Sequence, residues 1–215
     1  MLRRNEGLSR FNQCMKRSID LLLAILGLLV IGWVILLAGL ISSIDTRKGG
    51  FLLQTRIGQW GKPFKIIKIR TMSKSALLGT TVTTANDPRI TRIGKFFRKT
   101  KIDELPQLIN VLVGQMSFVG PRPDVPGFAD VLEGEGRLVL SIRPGITGPA
   151  SIYFKNEEAT LASVEDPEKY NYEVLFPKKV EINLEYIRHY SLFSDLRYII
   201  GTVIPPIAPP RKINE

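Results

Sequence analysis

The longest apolar run of the chain lies near its N-terminus. No charged residue occurs between Leu21 and Ile44, and only glycines and two serines interrupt the run. At about 1.5 Å per residue, a straight helix over this run reaches about 36 Å, slightly more than the ~30 Å hydrocarbon core of a bilayer. The pattern predicts a membrane-embedded helix. It divides the chain into a basic N-terminus with that helix, 1–46, and a second domain, 47–215.

The charges beside the run bear on its topology, because Lys and Arg concentrate on the cytoplasmic flanks of membrane segments. Basic residues flank the run equally on both sides: Arg3, Arg4, Arg10, Lys16 and Arg17 precede it, and Arg47, Lys48, Arg56, Lys62 and Lys65 follow it. Two topologies therefore stay open on charge alone. One is a single span with a periplasmic N-terminal tail, and the other is a segment that enters and leaves at the cytoplasmic face.

Shorter patterns follow the run. Alternating apolar residues between Phe51 and Met72 predict two short strands around a Gly-Lys-Pro turn. Residues 73–88 are rich in Ser, Thr, Gly and Asn and predict a loop that covers a site. The apolar spacing predicts a helix over Pro106–Val113 that Gly114 ends, with Asp103 at or next to its N-cap.

The last third of the chain is less regular until its end. Residues 125–180 are acidic and broken by prolines, so loops and short helices are expected. Val180, Leu184 and Ile187 form one helical stripe. After Ser191 a wide apolar face extends as far as Pro205, and that helix either packs on the core or lies in the bilayer interface.

Composition and charge narrow the range of possible functions. The 215 residues carry a net charge of +10, and residues 45–124 alone hold fifteen Lys and Arg against five Asp and Glu. Such a block suits an anionic partner, either lipid headgroups or a phosphate-bearing substrate. Nucleic acid is not expected, because no nucleic-acid-binding signature accompanies the charge. A single cysteine, Cys14, excludes an internal disulfide, and a single histidine, His189, excludes a His-rich metal site.

The strongest candidate chemistry is the pair Asp103-Glu104 inside this basic block. A carboxylate kept ionised beside a helix N-terminus is a competent nucleophile or Mg²⁺ ligand, and neighbouring cations such as Arg98 and Arg122 suit phosphate groups. The alternative is that Asp103 only caps the helix. Similarly, Gly120-Pro121-Arg122-Pro123 either holds a guanidinium for phosphate or is only a rigid turn.

Seven motifs in order resemble the bacterial sugar transferase family, the monotopic phosphoglycosyl transferases that act on polyprenyl phosphate. The motifs are Lys16-Arg17 with Asp20, Gln54-x-Arg56-x-Gly58, Gly61-Lys62 through Lys68-x-Arg70-Thr71-Met72, Asp87-Pro88-Arg89-Ile90-Thr91, Asp103-Glu104-Leu105-Pro106-Gln107-Leu108, Met116 through Pro123, and Arg143-Pro144-Gly145-Ile146-Thr147-Gly148. They extend over roughly residues 16–200, which is nearly the whole chain.

The resemblance implies an α+β fold. Its N-terminal membrane helix would be re-entrant, and a small, mostly helical catalytic domain with short strands and interfacial amphipathic helices would follow. That domain would face the cytoplasm at the bacterial inner membrane. Where the family has Ser-Pro in the apolar run, this chain has Gly32-Trp33, although glycine also permits a bend. The family's Gly-Asp before Met-Ser is Gly114-Gln115 here, and its Ala-Gln-Val-x-Gly-Arg-Asn is replaced over residues 150–156.

The resemblance also implies a reaction that starts lipid-linked glycan assembly. A sugar-1-phosphate passes from a nucleotide diphosphate sugar to polyprenyl phosphate. Asp103 would attack the phosphate and form a covalent intermediate, Glu104 would orient or deprotonate a participant, and both would hold Mg²⁺ or Mn²⁺. The residues expected to bind substrate are Lys68, Arg70, Arg98, Arg122 and Arg143. Membrane lipid is the other expected partner, and a homo-oligomer stays open.

Two other functions stay open. A non-catalytic membrane adaptor could use the same anchor and basic face on anionic lipid and would need neither carboxylate. A nucleotide-sugar hydrolase would release a nucleoside monophosphate without polyprenyl phosphate.

Overall fold

The computed structural model describes residues 7–73 and 87–204, so most of the predicted loop at 73–88 lies outside the described residues. The described helices are α1 (Arg10–Thr46), α2 (Arg92–Lys99), α3 (Gln107–Leu112), α4 (Pro149–Tyr153), α5 (Glu157–Ala162), α6 (Pro167–Tyr170), α7 (Phe176–Arg188) and α8 (Leu192–Val203). The described strands are β1 (Phe51–Ile57), β2 (Pro63–Ile69), β3 (Ser117–Val119) and β4 (Gly145–Thr147). This mixture of helices and short strands confirms the α+β class.

The predicted pair of strands is confirmed. β1 and β2 form an antiparallel hairpin in which Phe51 lies opposite Ile69 and Ile57 lies opposite Pro63. Trp60 at φ 62° and Gly61 at φ 75° make the turn with left-handed backbone conformations. β3 and β4 form a separate parallel pair. The hairpin and this pair carry the loops that surround the candidate site.

α1 extends through the apolar run without interruption, including Gly32-Trp33. Within the described residues it is the one helix long and apolar enough to cross a membrane. It ends at Thr46, where the sequence places its boundary, but the division into two domains stays a prediction, as does the re-entrant character.

Both ends of α1 pack on the rest of the molecule. Lys16, Asp20 and Ala24 are buried near one end, and residues between Ile35 and Thr46 are buried near the other. Between them, residues 25–34 contain no buried residue. The exposed side chains in that middle part are Ile25, Leu26, Leu29, Val30 and Trp33. An apolar middle between two docked ends is suited to contact with lipid rather than water.

Two charged residues before the apolar run join α1 to α3 and β3. Arg17 donates hydrogen bonds to the carbonyl oxygens of Val111 and Leu112, at 2.6 and 2.9 Å, at the C-terminal end of α3. The Asp20 carboxylate accepts from the backbone N–H of Phe118, in β3, at 2.9 Å. The first motif of the sequence therefore holds α1 against α3 and β3.

A third residue of that motif joins α1 to the C-terminal helices. Lys16 Nζ lies 2.5 Å from Asp195 Oδ2, and the Tyr186 hydroxyl donates to Asp195 Oδ1 at 2.5 Å. The ion pair is buried, and Tyr190 also donates to Asp195 Oδ2, at 3.3 Å, so the lysine and two tyrosine hydroxyls surround that carboxylate.

The apolar core lies between α1, the hairpin and the short helices. One cluster joins α1 to the hairpin and α3: Ala24, Ile66, Val111 and Met116. A second holds α7 against the hairpin and the 3₁₀ turns at Ala129–Val131 and Gly134–Ser141; its members are Ile57, Ala129, Val139, Leu140 and Phe176.

The C-terminal predictions are confirmed with one refinement. Residues 125–180 form short helices and 3₁₀ turns, and α7 and α8 follow. α8 packs on the core through Tyr198 and Ile199, while Phe193 and Leu196 are 78% and 52% exposed, and its contact with the bilayer interface stays a prediction.

Candidate active site

Asp103 lies in a 3₁₀ turn, Ile102–Glu104, that connects α2 to α3. The prediction that it lies at or next to the N-cap of α3 is wrong, and so is the alternative that it only caps that helix, because the N-cap is Pro106 and no side chain caps α3. Lys101, whose φ is 58°, precedes this turn. Asp103 therefore belongs to a separate turn before α3 and not to the end of that helix. Asp103 is only 9% exposed, and its Oδ1 atom has no hydrogen-bond partner among the described residues. Asp103 is thus a buried carboxylate with one oxygen that the described part of the fold does not hydrogen-bond.

Glu104, by contrast, is fully engaged. Arg122 donates to both of its carboxylate oxygens, from Nη1 at 3.2 Å and from Nη2. Lys68 Nζ lies 3.9 Å from Glu104 Oε1. Two cations from distant parts of the chain therefore converge on one carboxylate.

The two adjacent carboxylates have opposite pKa shifts. Burial, and next the charge of Glu104, raises the pKa of Asp103 to about 6. Burial would also raise the pKa of Glu104, but Arg122 and Lys68 outweigh it and hold that pKa well below its usual range. Burial, with the charge of Arg122, lowers the pKa of Lys68 to about 8. Such divergent values mark groups with different roles in a site.

These groups line a cavity of about 2200 Å³. The hairpin, the turn that carries Asp103, the Pro121–Val125 segment and the helices α4, α5 and α7 contribute to its wall. Two ion pairs connect α5 to other elements of this wall: Glu157 with Lys179 at 2.6 Å, and Glu158 with Arg98 at 2.5 Å.

The remaining predicted substrate-binding residues have different positions. Arg98 lines the cavity and pairs with Glu158. Arg70 also lines it, yet its guanidinium donates to the carbonyl oxygens of Gly49 and Phe51 at 2.8 and 3.2 Å. Arg143 donates to the Gly114 carbonyl at 2.9 Å and is not among the residues of the cavity wall. The structure thus brings together Lys68, Arg98 and Arg122, whereas Arg143 lies elsewhere.

Sequence reasoning did not single out several charged groups of this wall, among them Arg56, Asp124 and Lys179. Arg56 donates to Gln54 Oε1 at 2.7 Å, its Nε has no partner among the described residues, and burial lowers its pKa to about 10. Burial raises the pKa of Asp124 to about 6. The Gln-x-Arg-x-Gly motif was a signal for Arg56, but no local pattern identifies Asp124 or Lys179.

The fit of a metal ion can be tested against these carboxylates. The described residues hold no group of three or more Asp, Glu, His or Cys side chains that could bind one. Mg²⁺, however, is commonly held by one or two carboxylates together with water and substrate phosphates. Asp103 Oδ1 is free for such a role, whereas Glu104 would have to release Arg122. The site fits a metal that the diphosphate of a substrate helps to bind.

Comparison with known proteins gives consistent matches. A model of the family described as "Bacterial sugar transferase" matches residues 11–207. UDP-glucose:undecaprenyl-phosphate glucose-1-phosphate transferase of Escherichia coli (strain K12) is 39% identical over 202 residues, which are 91% of this chain and 41% of that protein. Exopolysaccharide production protein PSS of Rhizobium leguminosarum bv. phaseoli is 34% identical over 198 residues, which are 88% of this chain and 94% of that protein.

Coverage differs among these relatives. A putative undecaprenyl-phosphate N-acetylgalactosaminyl 1-phosphate transferase of Bacillus subtilis (strain 168) is 42% identical over 121 residues, or 56% of this chain and 68% of that protein. The chain spans about two fifths of the length of the Escherichia coli relative and nearly all of the Rhizobium protein.

Proposed function

Because this chain belongs to the bacterial sugar transferase family, we propose that it transfers a sugar-1-phosphate from a nucleotide diphosphate sugar to polyprenyl phosphate. One observation carries the proposal. A buried carboxylate with a free oxygen, Asp103, lies beside a carboxylate that is saturated with cations, on the wall of a large basic cavity. The names of relatives, which specify undecaprenyl phosphate as acceptor and glucose or N-acetylgalactosamine phosphate as the transferred group, support it.

The first step is a displacement at phosphorus. An Asp103 oxygen attacks the phosphorus that bears the sugar, and a new P–O bond forms to the carboxylate. The bond to the other phosphate breaks, and the nucleoside monophosphate leaves with the electron pair. With a pKa of about 6, Asp103 is mostly ionised at neutral pH and needs no base to activate it.

The second step regenerates the carboxylate. An oxygen of polyprenyl phosphate attacks the same phosphorus, and the bond to Asp103 breaks. The product is a polyprenyl diphosphate sugar. A covalent intermediate lets two bulky substrates use one site in turn, which suits a cavity with a free carboxylate oxygen of Asp103 on its wall.

The neighbouring charges serve the same reaction. Lys68 and Arg122 offset the charge that accumulates on phosphate oxygens in the transition state. Glu104 holds Arg122 in place, and its low pKa favours this orienting role over that of a base. Mg²⁺, held by Asp103 with substrate phosphates, would supply further charge neutralisation.

We also propose that α1 enters and leaves the inner membrane at the cytoplasmic face, with the catalytic part in the cytoplasm. The contacts at its two ends support this. Arg17 bonds to α3 near one end, and Ser42 Oγ donates to the Arg70 carbonyl at 2.5 Å near the other. A helix that crossed the bilayer would place those two contacts on opposite sides.

The experiment is an assay of the full chain in nanodiscs with a panel of nucleotide sugars, with and without polyprenyl phosphate. We expect nucleoside monophosphate at one equivalent per protein without acceptor and continuous release with it. Labelled donor should leave phosphosugar on the peptide that contains Asp103. Continuous release without acceptor would indicate a hydrolase, and no release with any donor would indicate an adaptor; either result refutes the proposal.

A further inference from the structure

Three uncharged side chains on the cavity wall have polar atoms that the fold leaves without a partner. The Oδ1 atoms of Asn183 and Asn171 and the Oγ atom of Ser151 are buried, and none has a hydrogen-bond partner within residues 7–73 and 87–204. They come from α7, from the π-helical turn Asn171–Leu175 and from α4. Buried polar atoms in native proteins are nearly always satisfied, so three unsatisfied ones on one wall indicate that something else completes them.

Asn183 is the best placed of the three. It is 94% buried, since its exposed fraction is 6%. α7 turns one face toward the cavity, with Phe176, Lys179, Val180 and Asn183 at the i, i+3, i+4 and i+7 positions. Lys179 is fixed by its ion pair with Glu157. The amide is therefore held on a rigid helix, one turn beyond a charged group of the same wall.

The chemistry of these atoms selects their ligand. An amide oxygen accepts hydrogen bonds, and a hydroxyl donates or accepts, so the ligand must carry uncharged O–H or N–H donors. The phosphates of the donor carry only acceptors when ionised, and the polyprenyl chain carries neither donors nor acceptors. The hydroxyl groups of the transferred sugar are the donors that lie next to the reacting phosphorus.

We propose that Asn183, together with Asn171 and Ser151, forms the subsite for the sugar hydroxyls and thereby selects which sugar phosphate is transferred. The inference rests on the proposed function and deepens it. A site built to hydrogen-bond a hydroxyl discriminates strongly against an analogue that lacks it, because the buried group is then left unpaired. Sugar choice would therefore depend on α4 and α7, whereas phosphate chemistry depends on the Asp103 turn.

The test is a coupling experiment between protein and donor. The best donor of the nucleotide-sugar panel is compared with its single deoxy analogues, for wild type and for Asn183→Leu, which keeps the volume but removes hydrogen bonding. Release of nucleoside monophosphate gives kcat/KM. We expect at least one deoxy analogue to lose about tenfold or more with wild type and less than about threefold with Asn183→Leu. Glu181→Gln, on the exposed side of the same helix, is the matched control and should keep the wild-type pattern.

Each other outcome is decisive. Equal losses for wild type and Asn183→Leu with every deoxy analogue would overturn the subsite while leaving the transferase function intact. The subsite would also be overturned if Asn183→Leu changed the response to donors with a different nucleobase but not to deoxy sugars. That result would show that these residues bind the nucleotide. If thermal unfolding shows that Asn183→Leu does not fold, Ser151→Ala and Asn171→Leu answer the same question. No turnover of any donor by wild type would refute the proposed function itself, and with it this inference.

Discussion

The opposed pKa values of Asp103 and Lys68 predict a bell-shaped pH profile for the first half-reaction. Asp103 attacks only when ionised, and its pKa is about 6, so about 90% is ionised at pH 7 and about 10% at pH 5. Lys68 stabilises phosphate charge only when protonated, and its pKa is about 8, so about 10% is protonated at pH 9. The rate should therefore be highest near pH 7 and fall by about tenfold on either side.

The assay is single-turnover release of nucleoside monophosphate without acceptor, between pH 5 and 9. The donor's diphosphate stays fully ionised over this range, so its titration does not contribute. Glu104→Gln removes a negative charge that raises the pKa of Asp103. The acid limb of this variant's pH profile should therefore move to lower pH, even though its maximal rate falls. Lys68→Arg keeps the positive charge at all these pH values and should lose the alkaline limb.

A matched control separates this effect from general effects of pH. Lys65 lies on the same strand, is exposed and does not line the cavity. Lys65→Arg should keep both limbs. A rate that is flat from pH 5 to 9 in wild type would refute the assignment of both groups, and an alkaline limb that persists in Lys68→Arg would refute the role of Lys68.

Further predictions concern residues of the site and its support. Asp103→Asn should abolish monophosphate release, yet raise the free energy of unfolding at pH 7 by about 1–3 kcal/mol. The raised pKa of Asp103 means that ionisation opposes folding as pH rises from about 4 to 6, so denaturant titration at pH 4 should show no gain, and a gain there would contradict the assignment. Arg122→Lys should lower kcat/KM at least about tenfold, because two-pronged contact with Glu104 is lost; full activity would favour a merely rigid turn. We expect Mg²⁺ or Mn²⁺ to be required, so excess chelator should stop turnover, and unchanged turnover would exclude that requirement. Asp195→Asn removes the carboxylate that pairs directly with the buried Lys16 and should cost about 3–5 kcal/mol by the same titration; a cost near zero would show that the pair contributes nothing.

Local sequence patterns predicted the elements that depend on local interactions. The alternation from Phe51 to Met72 gave a hairpin, and the helical spacing at the end of the chain gave α7 and α8. The pair Asp103 and Glu104 could also be recognised from the sequence, because two adjacent carboxylates inside a basic segment are unusual whatever the fold.

Long-range contacts determined what the sequence could not predict. Asp103 was expected at or next to a helix N-cap. Instead, Lys101 has a left-handed backbone conformation and begins a separate turn before Pro106. Arg143 was placed among the substrate-binding residues because of its motif, whereas its guanidinium bonds to Gly114. Asn183 gave no signal at all, because a single asparagine on an amphipathic helix is unremarkable until the cavity beside it is known.

The contact of Arg17 with the end of α3 has a practical consequence for anyone preparing this protein. The residues just before the apolar run satisfy the last carbonyls of the helix that follows Asp103, and Ala24 fills the core beneath it. A truncated fragment that begins after Thr46, the usual route to a soluble sample, would leave those carbonyls without their donor and Asp195 without its lysine partner. Such a fragment should be insoluble or inactive for reasons of folding, and detergent extraction of the entire chain is the sounder preparation.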